Sequence, residues 1–265
     1  MRHLGCIAGR ELRSLFVSPV AYVVLTLWAV LAGFFFLSNL IAFQTELVRM
    51  QQMGAFEMVR SVNLNDHLIA PFMGSMWIIL IFAVPGVTMG LFAAEKANGT
   101  DELLLTSPLT IWEIVLGKFL AGAAFVALMT GIVAFFPAIL FAYGDPEVGK
   151  TGAGLLGLLL VSLTYVAVGA FASSVTRNHL IAFFLAFGVL LLLLMLPFIA
   201  ELGASRGGLG GGGEVAELMR WVATGSHFEQ LLKGLVDTKD LVYFAVMSGS
   251  FLFLTKAAME ASRWR

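Results

Sequence analysis

The sequence predicts an all-α membrane protein with six transmembrane helices, and three observations carry that expectation. Hydrophobic residues make up 59% of the 265 residues against 12% charged, with a mean hydropathy of +0.92. That is more apolar surface than one soluble core of this size buries. The apolar residues fall into uncharged runs long enough to cross a bilayer, which takes about 20 residues of helix. Most of the charge sits in the short segments between those runs.

Taken in order, the first 18 residues form an amphipathic stretch, with Leu4, Ala8, Leu12 and Leu15 set against Arg10 and Arg13. Such a helix lies along a membrane interface. Uncharged runs of 32 residues follow between Arg13 and Glu46, 27 between His67 and Glu95, 26 between Lys118 and Asp145, and 26 between Lys150 and Arg177. A run of 21 extends from Leu180 to Ala200. The last, Leu241 to Thr255, has only 15 residues and must continue past Lys256, whose ammonium snorkels to the interface. The expected spans are 20–43, 69–93, 112–143, 151–175, 179–199 and 240–260, in a single domain over 1–265. No A-x-A site follows the first apolar run, so it reads as a retained helix.

An even number of spans puts both termini on one side. With the N-terminus cytoplasmic, the inside carries nine basic and six acidic residues and the outside seven basic and eleven acidic, that is +3 against −4. This asymmetry predicts an N-in, C-in arrangement. Residues 44–65 then lie outside, with Leu47, Met50, Met53, Phe56, Val59 and Val62 at every third position, as in a helix resting on the outer surface or against a partner. The Gly-rich stretch 203–213 reads as a flexible extracytoplasmic loop. Ser226 to Glu229 reads as a capping box opening a short helix with Phe228, Leu231, Leu232 and Leu235 on one side.

Several functions are disfavoured. A net charge of −1 gives no basic face for nucleic acid. Cys6 is the single cysteine, and His3, His67, His179 and His227 are scattered over both sides, so no metal site forms. The interiors of the first five uncharged runs lack the buried charge that coupled carriers use. GDPEVGKT at 144–151 has the letters of a phosphate loop, G-x-x-x-x-G-K-[ST]. Its flanks, however, are membrane-length helices rather than a soluble sheet, no second acidic strand follows to hold magnesium, and the expected topology places it outside. It reads as a tight turn with Lys150 at the headgroups.

The informative segment is EKANGTDELLLTSPLTIWEIVLGK at 95–118. Asn98-Gly99 is a turn signal, Thr100 suits a helix cap, and Asp101 and Glu102 suit the positive end of the helix dipole. Leu103, Leu104 and Leu105 follow before Thr106, Ser107 and Pro108 end the helix. Thr110 to Glu113 forms a capping box for the next span. A helix this short is unstable alone in water. Its leucines either dock in a partner's groove or fold back on the membrane.

This segment resembles the cytoplasmic loop of ABC-2 type exporter permeases, and within them is similar to the gliding-motility-associated permease subunit and to the permease linked with nitrous-oxide reductase maturation. SHFEQLLKGLVDTKDLVYF at 226–244 is similar to the same family's extracytoplasmic re-entrant segment. The resemblance covers essentially the whole chain apart from the Gly-rich insert. It implies the type V ABC exporter permease fold and two paired permease chains, most simply a homodimer. It also implies a separate cytoplasmic ATPase dimer that binds ATP and magnesium, so this chain has no cofactor or catalytic site of its own. Glu95 and Gly99, with Thr100, Asp101, Glu102, Leu103, Leu104, Leu105, Thr106, Ser107 and Pro108, would form the coupling element. The bacterial cytoplasmic membrane is the implied location, with an auxiliary extracytoplasmic membrane subunit as a further implied partner. A second expectation stays open, a membrane anchor passing ATPase work to an extracytoplasmic partner without moving solute. A self-contained channel or carrier is disfavoured by the exposed leucines.

Overall fold

The structure is a computed structural model, and it describes residues 2–54, 62–100, 109–206 and 213–263. All its regular elements among these residues are helices. They are α1 (Arg2–Val17), α2 (Pro19–Gln52), a π-helical turn (Asn65–Ile69) leading into α3 (Ala70–Thr88), α4 (Ala93–Asn98), α5 (Ile111–Tyr143), α6 (Val148–Val175), α7 (His179–Arg206), α8 (Gly213–Val222), α9 (Thr224–Leu232) and α10 (Thr238–Arg263). Six stretches are long and apolar enough to span a membrane: Pro19–Gln52, Asn65–Asn98, Ile111–Tyr143, Val148–Val175, His179–Glu201 and Thr238–Arg263.

α6 is the hub. It packs against α3, α5, α7, α9 and α10, and its small residues permit that crowding. A Cβ on Gly154 would sit 2.6 Å from Met73 Sδ, and one on Gly157 would sit 2.9 Å from Leu231. At Gly169 a Cβ would collide with Thr88. Around this axis Phe72, Met76, Leu80, Phe125, Met129, Val161 and Tyr165 form one buried cluster. Two indole tips in the core are paired, as hydrocarbon requires: Trp28 Nε1 donates to the Met129 carbonyl at 2.9 Å and Trp77 Nε1 to Tyr165 Oη at 2.8 Å. α2 and α7 present Val23, Leu27, Val30, Phe34, Leu192 and Phe198 outward, a face suited to lipid tails.

Ser18 marks the elbow between α1 and α2. Its hydroxyl accepts from Val20 N at 3.3 Å, and Pro19 begins the next helix with the φ it already prefers. α1 folds back onto the start of α5, where Gly117 leaves room for Ile7; a Cβ there would lie 2.6 Å from Ile7 Cγ2. The far end of α10 reaches the same place, with Lys256 Nζ 5.5 Å from the Trp112 ring centre and 3.1 Å from Glu260. Both termini therefore meet at one end of the bundle, called here the terminal end.

Four expectations are corrected. Helix α2 runs on to Gln52, past residue 43, so the apolar series beginning at Leu47 continues a span at its start; residues 55–61 of that series lie outside the described residues. Residues 203–206 of the Gly-rich stretch belong to α7, because the single Gly203 weakens a helix without ending it, while 207–212 lie outside the described residues. The box at Ser226 is absent: α9 starts two residues earlier, at Thr224, and the Ser226 hydroxyl instead donates to the Arg220 and Ala223 carbonyls. Phe228 and Leu231 are buried, whereas Leu235 is exposed in the following turn. The fourth correction concerns Lys118.

Candidate functional site

The second span is interrupted at Met89–Phe92, where the chain leaves α3 and resumes as α4. Ser173 of α6 satisfies the broken backbone. Its Oγ accepts from Phe92 N and Ala93 N, both at 3.0 Å, and donates to the Met89 carbonyl at 2.8 Å. The freed Leu91 carbonyl accepts from Lys118 Nζ at 2.7 Å.

Lys118 lies about two turns inside α5 and is 1% exposed. Its ammonium donates to the Leu91 carbonyl and to Glu95 Oε1 at 2.9 Å, and it stands 3.3 Å from Glu11 Oε1 as an ion pair. The Phe92 ring lies 5.3 Å below the cation. Arg10 NH2 bonds Glu11 Oε1 at 2.9 Å and stands 4.0 Å from Glu95. One lysine thus ties α1, α4 and α5 together. The sequence treats Lys118 as a boundary residue outside an uncharged run; it is instead a buried charge, held because both counter-charges come from other elements. A lysine inside an otherwise apolar helix was the available signal.

Of the expected coupling residues, Glu95 sits in this cluster. Gly99 ends α4 at φ 68°, the left-handed conformation in which glycine escapes Cβ strain. Thr100 turns back, its N–H and hydroxyl both donating to the Glu95 carbonyl at 3.0 and 3.3 Å. Asp101, Glu102, Leu103, Leu104, Leu105, Thr106, Ser107 and Pro108 lie outside the described residues. On their far side the Thr110–Glu113 capping box is formed. Thr110 Oγ1 accepts from Glu113 N at 3.3 Å, and Glu113 Oε2 accepts from Thr110 N at 3.0 Å.

The opposite end holds the phosphate-loop letters. Glu147 N donates to Asn65 Oδ1 at 2.8 Å, while Asn65 Nδ2 donates to the Glu147 carbonyl at 3.1 Å and to Thr151 Oγ1 at 3.0 Å. Lys150 Nζ stands 3.3 Å from Glu147 and 3.5 Å from Asp66. The Asn63 amide, and after it Lys150, hold the Glu147 carboxyl below the ordinary carboxylate range. Here the Lys150 and Thr151 side chains and the Glu147 backbone are engaged with Asn65 and Asp66 of the π-helical turn before α3.

At the same end His227 stacks on Tyr243 with ring centres 3.9 Å apart. Its Nδ1 is 2.6 Å from Asp240 Oδ1 and its Nε2 is 2.9 Å from the Trp221 carbonyl. Both ring nitrogens are therefore within hydrogen-bonding reach of an oxygen. Tyr243 Oη donates to the Val222 carbonyl at 2.6 Å. This network pins α8 and α9 to the start of α10. His227, Asp240 and Tyr243 all fall within the 226–244 segment, but its letters do not announce the pairing, because the partners lie on separate helices.

A family model described as ABC-2 family transporter protein matches residues 7–259. Comparison with curated proteins gives no match.

Proposed function

Since the chain belongs to the ABC-2 transporter family, a family of multi-pass membrane permeases, we propose that it is the membrane-spanning subunit of an exporter driven by a separate cytoplasmic ATPase. Two copies pair, and the ATPase dimer carries the ATP and magnesium. The observation that carries this reading is the Lys118 cluster, which binds the helix before the 101–108 segment to α1 through Glu95 and Glu11. A displacement of that segment by an ATPase would be passed to α1 and to the base of α5. The resemblance to the gliding-motility-associated permease supports a place in a bacterial cytoplasmic membrane.

The test is co-purification. Expressed with its cognate ATPase, the detergent-solubilised permease is expected to retain that ATPase and to raise its hydrolysis rate in vesicles. Failure to retain it would remove the reading.

The charge asymmetry adds a topological expectation. A cysteine at Gly99 reacts with an impermeant maleimide only from the cytoplasmic side and one at Gly210 only from outside. Labelling of both from one side would overturn the arrangement. The engaged loop at 144–151 adds another: Lys150→Ala leaves ATP hydrolysis by the complex within about twofold, because it removes only two solvent-screened ion pairs at the helix-bundle end. A loss of hydrolysis in a folded variant would assign the loop to nucleotide.

A further inference from the structure

Two cavities meet at the α1–α2 elbow. One, of about 740 Å³, is lined by Arg10, Glu11, Ser14, Glu95 and Lys118. The other, of about 330 Å³, is lined by Val20, Val24, Gly86 and Phe125. Leu15, Ser18, Val87, Gly90 and Ala94 belong to the walls of both. A charged compartment therefore opens directly into an apolar one, at the level where α2 begins its span. Gly86 and Gly90 leave part of the wall without side chains, beside Met89 and His179. A Cβ placed on Gly86 or on Gly90 meets nothing within 4 Å.

Polar room continuous with apolar room at a membrane boundary fits an amphiphile. The four charged residues of the polar compartment balance, Arg10 and Lys118 against Glu11 and Glu95. A head with net charge would be left uncompensated there, whereas a zwitterion brings none. Lys118 is engaged within the protein, donating to the Leu91 carbonyl and Glu95 and paired with Glu11. Arg10, with its side chain 62% exposed, keeps donors for a phosphate. Glu11 and Glu95 each give Oε1 to Lys118, and a carboxylate accepts at two oxygens. A primary ammonium donates N–H to such an oxygen; a quaternary one does not.

We propose that this pair of cavities is a binding site for a membrane phospholipid with a phosphoethanolamine head, the head beside Arg10, Glu11 and Glu95 and one acyl chain between α2 and the Gly86–Gly90 wall. The site stands independently of any ATPase pairing. It makes a lipid part of the joint between α1 and the interrupted second span.

The experiment reconstitutes the full chain in vesicles of equal phosphatidylethanolamine, phosphatidylglycerol and phosphatidylcholine, extracts it in mild detergent and counts retained lipid by native mass spectrometry. One phosphatidylethanolamine per chain is expected. Gly90→Leu and Gly86→Leu fill the apolar compartment and should lower its retention at least tenfold, with the chain still monodisperse and its melting midpoint unchanged. Arg10→Gln, at an exposed position, should do the same by removing the phosphate partner, and it decides the matter if the leucine variants do not fold. Excess glycerophosphoethanolamine, which has the head and no chains, should not displace the lipid. Retention in the proportions of the bilayer, undiminished retention in the folded variants, or displacement by the soluble head would each overturn the site.

Discussion

Lys118→Met should free α1 from the bundle while leaving the six spans in place. Methionine keeps the unbranched stem of lysine and its packing on Phe92, so the loss isolates the charge. Removing one partner of a buried ion pair costs ~3–5 kcal/mol, because the other charge stays behind without compensation. The low end applies here: Glu11 and Glu95 are 17% and 22% exposed and keep some water. About 3 kcal/mol shifts the docking equilibrium of α1 roughly a hundredfold. Limited proteolysis should then cut after Arg10 and Arg13 under conditions that leave wild type intact, and the melting midpoint in detergent should fall. Glu11→Gln alone should cost less, about 1 kcal/mol, since the Leu91 carbonyl and Glu95 still hold the ammonium. The triple change Lys118→Met, Glu11→Gln, Glu95→Gln should recover more than half of the loss, because no charge is then left stranded. Equal protease resistance of wild type and Lys118→Met would show that Ile7 packed over Gly117 is enough to hold α1.

What was legible in the sequence follows from the range of the interactions involved. Bilayer thickness imposes a length on every span, so uncharged runs reveal them without knowledge of their partners. The Thr110–Glu113 box and the left-handed Gly99 are settled within four residues, and the local letters suffice. Ser226 shows the limit of local letters. The box pattern is present, but burial of Phe228 and Leu231 against α6 fixes the helix in another register, and α9 begins at Thr224. Lys118 was misjudged because Glu11 and Glu95 stand 107 and 23 positions away and nothing in the neighbouring letters announces them. The same holds for Asn65, whose side chain secures Glu147 and Thr151, and for the Asp240 carboxylate on His227. The break at Met89–Phe92 is also non-local, stable because a serine from α6 replaces the missing helical partners.

Leu104→Asp combined with Leu105→Asp should weaken association with the cognate ATPase more than about a hundredfold. The segment that holds these residues is bounded by two formed caps, Gly99 closing α4 and Thr110 opening α5. A helix of that length is not stable alone in water, so the proposed coupling role requires a surface that covers the three leucines. Burial of one leucine contributes ~1.5–3 kcal/mol, so losing two of them, and placing carboxylates in the groove, exceeds the ~2.8 kcal/mol that a hundredfold requires. The leucines stand outside the expected spans, so insertion and permease pairing should survive. A pull-down of ATPase by solubilised permease, with chromatography to check permease size, gives the result. Combined with Lys118→Met the measurement separates two links: the aspartates should abolish capture, whereas methionine should leave capture intact and lower the permease-dependent rise in hydrolysis. Capture of the ATPase by the aspartate variant at wild-type strength would mean that the leucines fold onto the membrane and that the ATPase grips the permease elsewhere.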